Sequence, residues 1–298
     1  MGNDRRAERA NPLGEFLRAR RHLLDPAELG LPDHGRRRTP GLRREELAFL
    51  AGVSPHYYAR LEQGRDRNPS APVLDALAGV LRLDGDARAH LRQLAQPSAP
   101  RRKYVPRPER VRPGLEQLLA RWSAQPAVII GRHRDVLAAN ALAIAVHDGF
   151  TPGRNLLRDV FLDDGARETY LDWNEVAEGA VAGVRAAVGN ELDNPRLVEL
   201  IGELSLKSHE FRAMWARHDV RERTSGTKRY RNPLVGPIDL QYQTFSVTGT
   251  IGQTLFLFSA EPGSADEQSL RLLAAITSTT IDGPATSMST PSTLPGPL

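Results

Sequence analysis

His56 and Arg60 stand four residues apart in a stretch of helical periodicity and share one face, while Tyr58 and Leu61 fall on the other. A guanidinium can hydrogen-bond a guanine edge bidentately, a contact worth about 1–3 kcal/mol of discrimination, and an imidazole can donate or accept at a base edge. Ser54 has the side chain of an N-cap, and Pro55 brings the fixed φ of a first helical position. Tyr57 is placed to reach a phosphate. Arg43 and Arg44 open the preceding helix, where side chains and backbone amides both meet phosphate. Arg43, Arg44, Ser54, Pro55, His56, Tyr57 and Arg60 are therefore the candidate contacts to double-stranded DNA. Plainer readings stand beside these. Arg60 can serve as a surface partner of Glu62 or Asp66, Tyr57 can pack on Phe49, and Arg36–Arg38 can be a solvated loop as readily as a phosphate track.

Catalytic chemistry finds no comparable pattern. Ser208-His209-Glu210 and His218-Asp219 bring hydroxyl, imidazole and carboxylate together in sequence, but adjacent residues on a helix point in different directions and make no triad. His209 and His218 lack the spacing of a helical zinc motif, and Gly249-Thr250-Ile251-Gly252 reads as a turn between strands. With no cysteine in the chain, thiolate ligands and nucleophiles are excluded. The expectation is a protein that is not an enzyme, with no metal and no cofactor.

The elements that must position His56 and Arg60 read as a helix-turn-helix from Leu47 to Gly64. Ala48 supplies the small residue where two helices cross, and Gly52 supplies positive φ at the turn. Leu47, Ala51, Val53, Tyr58 and Leu61 have the spacing that locks the two helices, and Gly64 ends the second. Around this motif, residues 12–96 read as an all-α five-helix domain. Asn11-Pro12 starts the first helix, and Ser70 caps one that turns Leu74 and Leu77 inward. Residues 97–112 have the proline and arginine content of a linker.

The second half changes character. Residues 127–130 and 135–139 pattern as a strand pair, 164–217 as a helical block, and Leu234–Leu240, Tyr242–Thr248 and Thr254–Ser259 as strands. This predicts an α+β domain over 113–278, an antiparallel sheet with a helical insertion, and a disordered tail over 279–298. The net charge of +4 implies little by itself, but arginine clusters crowd the first 112 residues and suit an anionic partner. No apolar run reaches the roughly 20 residues of a membrane span, and no secretory pattern opens the chain, so a cytoplasmic protein with no membrane partner is expected.

The segments Thr39–Ala48, Tyr57–Gly64, Pro69-Ser70 and Val73–Ala78 resemble Xre-type helix-turn-helix regulators. Leu171-Asp172-Trp173, Gly202–Ser205, Glu210-Phe211-Arg212, Trp215–Val220, Lys228–Pro233 and Ala260–Ser264 resemble the MmyB-like ligand-binding domain that follows such a module. The resemblance implies a transcription regulator whose second domain is PAS-like and senses a small molecule. It also implies that Glu62 pairs with Arg21 as a structural tie. Many relatives carry a long polar residue where Pro55 stands, so base readout here rests on fewer contacts or on DNA shape. If the PAS-like sheet leaves a cavity, its candidate wall is Leu137, Phe161, Tyr170, Trp173, Trp215, Phe245 and Leu255, which suits a small hydrophobic, acyl-like ligand. Aromatic and leucine positions at regular spacing are more often plain core, and these residues suit that reading too. A homodimer is expected, because one such module contacts only a half-site. The alternative readings are an antitoxin-type interaction module and a hydrolytic enzyme.

Overall fold

The structure, a computed structural model, describes residues 11–31, 41–66, 68–96, 109–188, 194–221 and 223–281. The Arg36–Arg38 run, most of the expected linker and most of the expected tail lie outside these residues.

The N-terminal part is built from α1 (Pro12–His22), α2 (Arg44–Leu50), α3 (Pro55–Glu62), α4 (Ala71–Val80) and α5 (Gly85–Ala95). Its helix starts follow from local chemistry. The Asn11 side chain accepts from the Gly14 amide, Ser54 from Tyr57 and Asp84 from Ala87. Phe16, Leu17, Leu47, Ala48, Tyr58, Leu61, Leu77 and Leu91 form a single buried cluster. Burial of a large apolar side chain stabilises by about 1.5–3 kcal/mol, so this cluster fixes the angle between α2 and α3. Gly52 turns the chain between them at φ +65°, a conformation that costs glycine little.

The C-terminal part begins with α6 (Pro113–Arg121), β1 (Ala127–Ile130) and β2 (Val136–Ala139). The insertion follows as α7 (Ala141–Val146), α8 (Leu156–Leu162), α9 (Ala166–Thr169), α10 (Trp173–Val188), α11 (Pro195–Lys207) and α12 (His209–Ala216). Then come β3 (Ser225–Asn232), β4 (Gly236–Ser246), β5 (Thr254–Ser259) and α13 (Ala265–Ile281). The sheet order is β2-β1-β5-β4-β3, antiparallel throughout, with the helices inserted between β2 and β3. This is the expected α+β architecture, with corrections in detail. Ser225–Asn232 is a strand that alternation in the sequence did not reveal, because its arginines and lysine mask the β pattern. The two segments expected from Leu234 to Thr248 are a single long strand. The last helix continues to Ile281, past the expected start of the tail.

Adjacent residues of a strand face opposite sides of the sheet, and the two faces carry different cores. Val128, Ile130, Tyr242, Phe256 and Phe258 pack with the inserted helices and α13, whereas Ala127, Ile129, Leu137, Leu255 and Leu257 pack on α6.

The two parts touch. Val220 is buried in the N-terminal cluster, Asp219 pairs with Arg20 at 2.6 Å, and the His218 ring meets Phe16 edge-on at 6.4 Å. Burial first, and then the Arg185 guanidinium, push His218 down to about 3 and His90 to about 4. Opening the contact lets both imidazoles return toward the ordinary 6.5. The open state therefore binds more protons between these limits. The closed arrangement keeps its full stability above pH 6.5 and loses it as pH falls toward 4. Small-angle scattering is expected to show a larger radius of gyration at about pH 5 than at pH 7.5. An unchanged radius across that range would contradict it.

Candidate nucleic-acid interface and ligand cavity

The face presented by α3 begins at its cap. Ser54, Pro55, His56 and Arg60 are exposed, Tyr57 is half-buried against the N-terminal cluster, and Tyr58 and Leu61 point inward. Arg43 is exposed at the start of α2. Arg60 Nε donates to Asp66 Oδ2 at 2.8 Å, with both side chains partly exposed. Exposed pairs are worth about 0–1 kcal/mol, so this bond does not prevent Arg60 from reaching a base. Phe49 is 79% exposed, which places it away from any packing role for Tyr57.

Arg44 carries a tie that its position in the sequence does not reveal. Its Nε donates to Glu62 Oε2 at 2.6 Å, and it is half-buried beside the Arg21–Glu62 pair at 2.7 Å. Burial pushes the Glu62 carboxyl up, but hydrogen bonds from Arg21, Arg44 and Tyr58 and the charge of Arg21 outweigh it, and the group sits below its ordinary value. Arg44 therefore has a structural tie alongside any contact with phosphate.

The second site is a cavity of about 130 Å³ between the inserted helices and the sheet face that bears Tyr242, Phe256 and Phe258. Of the seven candidate wall residues, Tyr170 lines it. Its hydroxyl is 2.7 Å from His147 Nε2, and burial holds that imidazole near 4, in the neutral form that can accept the bond. Leu137 and Leu255 sit on the α6 side of the sheet, one residue out of phase with the cavity side. Phe245 is 52% exposed. Phe161 packs edge-on against Trp173 and Phe211, and the Trp173 indole donates to the Val160 carbonyl at 2.8 Å beneath Arg167. Trp215 stacks on Phe211. These six are not among the residues that line this cavity, and for Leu137 and Leu255 strand alternation is the reason.

What the sequence reading missed is a small-residue wall and a set of cations. Gly179, Ala180, Gly183, Ala186 and Ala187 of α10 line the cavity. A Cβ on Gly183 would lie 1.9 Å from Arg134 Nη2, so glycine there is what lets the guanidinium lie against the helix. Arg134 itself sits in the β1–β2 turn at φ +68°, an uncommon backbone state for a side-chain-bearing residue. Lys228, Arg132, Arg221 and Arg223 also reach the wall. Two carboxylates are present, but Asp172 is engaged by Arg229, and Glu175 by Arg223 at 2.6 Å. Lys228 has no carboxylate within ion-pair distance among the described residues, and its nearest aromatic partner is the Tyr242 ring at 5.7 Å. Enclosure, followed by the charges of Arg134 and Arg223, pushes its amine down to about 8. The clustering of arginine and lysine at 132, 134, 221, 223 and 228 was the available signal.

The profile of the MmyB-like transcription regulator ligand binding domain matches residues 111–273. The chain belongs to this family. A helix-turn-helix domain profile matches residues 12–91, which contain α1 to α4 and most of α5. No curated protein matches the chain. The MmyB-like regulator thus joins a DNA-binding module to a ligand-binding domain, and this architecture points to transcription regulation. No helix among its described residues is long and apolar enough to cross a membrane.

Proposed function

We propose that the MmyB-like regulator binds DNA sequence-specifically as a homodimer, and that a small ligand with an apolar body and an acidic end controls it. The dimer reading rests on the reach of one recognition helix, which covers a single half-site. The observation that carries the ligand reading is Lys228, a cation facing an aromatic-walled cavity without a carboxylate of its own. A cation placed there pays a desolvation cost, which an anionic ligand offsets through a charge-assisted hydrogen bond. The acyl-like expectation therefore gains a charged end. The cytoplasm is the address that suits a DNA-binding protein, and catalysis has no part in the reading. A DNA-independent interaction module of antitoxin type predicts no selective binding to duplex DNA.

DNA binding is tested by gel shift over a salt series. Affinity for a preferred duplex is expected to fall linearly on logarithmic axes as salt rises, while remaining above that for random competitor. Equal affinity for all duplexes would overturn sequence specificity. For the cavity, 1-anilinonaphthalene-8-sulfonate is the anionic probe and N-phenyl-1-naphthylamine its uncharged counterpart. Lys228→Met is expected to weaken the sulfonate by about tenfold or more, the usual worth of a hydrogen bond to a charged group, and to leave the neutral probe within twofold. Equal losses for both probes would mean that Lys228 shapes the cavity without recognising charge.

A further inference from the structure

Two stretches of the chain touch both the cavity and the DNA-binding domain. The first is the C-terminal end of α10, where Ala186 lines the cavity and also packs on the N-terminal cluster. The second is the chain leaving α12. His218, Asp219 and Val220 contact α1 and the N-terminal core, while Arg221, the next residue, and Arg223 line the cavity. One peptide bond therefore separates a side chain on the cavity wall from one inside the DNA-binding domain.

The physical character of this contact suits a two-state element. Arg185 is 3% exposed, and no carboxylate among the described residues lies within ion-pair distance of it. It is held by the Trp215 carbonyl at 2.7 Å, by His218 Nδ1 at 3.1 Å and by the face of the Trp215 ring at 3.8 Å, and its Nε has no hydrogen-bond partner. The carboxylates of Glu15 and Asp219 act on it only from beyond ion-pair distance, and burying a guanidinium so weakly compensated is costly, so the closed contact is poised rather than locked. His218 stands at φ +53°, a strained backbone state for a non-glycine residue. From α1 the connection to the reading helix is short. Arg20, which holds Asp219, is next to Arg21, which holds Glu62 at the end of α3, and the Asn11 amide donates to the Glu62 carbonyl at 2.8 Å.

We propose that an occupant of the cavity shifts the seating of His218, Asp219 and Val220 on α1, and through α1 the DNA-reading helix α3. This rests on the cavity being the ligand site. An occupant that engages Arg223 competes with Glu175 for that guanidinium, and the displacement passes along the backbone to Val220. The shift is limited by the occupant's differential affinity for the two arrangements.

The test is hydrogen exchange of the full chain without DNA, with and without saturating 1-anilinonaphthalene-8-sulfonate. In the wild type, exchange of α1 is expected to change by about fivefold or more, the lower bound of usual coupling. Val220→Ser is expected to bind the probe with wild-type affinity and lose the α1 response. Arg20→Gln lies in the DNA-binding domain, away from the cavity wall, and is expected to bind the probe equally and show a smaller response. If Val220→Ser fails to fold, Arg20→Gln decides. Probe binding with no change in α1 of the wild type overturns the coupling path and leaves the cavity reading standing. A full α1 response in the variants also overturns it. Failure of the wild type to bind the probe removes the cavity reading, and the coupling path with it.

Discussion

Replacing Glu62 by glutamine is expected to cost the DNA-binding domain about 3–5 kcal/mol, the range for removing one partner of a buried ion pair. Glu62 is 1% exposed and Arg21 4% exposed, so the variant leaves a buried guanidinium facing a neutral amide, with Arg44 losing the same partner. Domains of this size are stable by about 5–15 kcal/mol, so a loss of this order removes much of the margin. The pH dependence has a definite sign. The folded carboxyl lies below its ordinary 4.5, so the stabilisation is present above that value and lost as pH falls through the folded one. Denaturant unfolding followed by far-UV circular dichroism reads the effect. A loss below about 1 kcal/mol, the worth of an exposed pair, would show that Glu62 does not hold α1, α2 and α3 together.

Arg60→Ala is expected to relax preference at one base pair by about 1–3 kcal/mol while leaving the other positions of the site as they were. The geometry favours this over a general loss, because Arg60 is exposed on the face it shares with His56 and gives up only a solvated bond to Asp66. Arg43→Ala should behave differently. It should weaken all duplexes alike and lower the salt slope by about one, as loss of a phosphate contact does. Competition binding against a panel of single-base-pair variants separates the two patterns. If Arg60→Ala lowers affinity evenly across the panel, its guanidinium meets phosphate and not a base edge.

The DNA-binding half was readable because its signals are local. Asn11, Ser54 and Pro55 act on the next turn of helix, Gly52 meets a backbone need at its own position, and Leu47, Ala48, Tyr58 and Leu61 repeat at helical spacing. The role of Arg44 was not readable from spacing alone, since its partner lies 18 residues away on another helix. The cavity was harder still. Aromatic and leucine positions are the obvious candidates, but which face of a strand looks into a cavity depends on register, and one residue of phase separates Leu255 from Phe256. The wall instead uses residues defined by being small or charged: Gly183 because Arg134 needs its space, and Lys228 because β3 runs along the cavity. That strand was itself hidden, since its alternation is written in arginine, lysine and tyrosine rather than in aliphatic residues.

Selecting the fragments that the 298-residue chain retains from a random duplex pool tests most directly the claim that α3 reads DNA. Enrichment of one motif built of two inverted half-sites about one helical turn apart is expected, with Arg60→Ala losing information at a single symmetry-related pair of positions. A retained pool with the same base composition at every position as the input would contradict it.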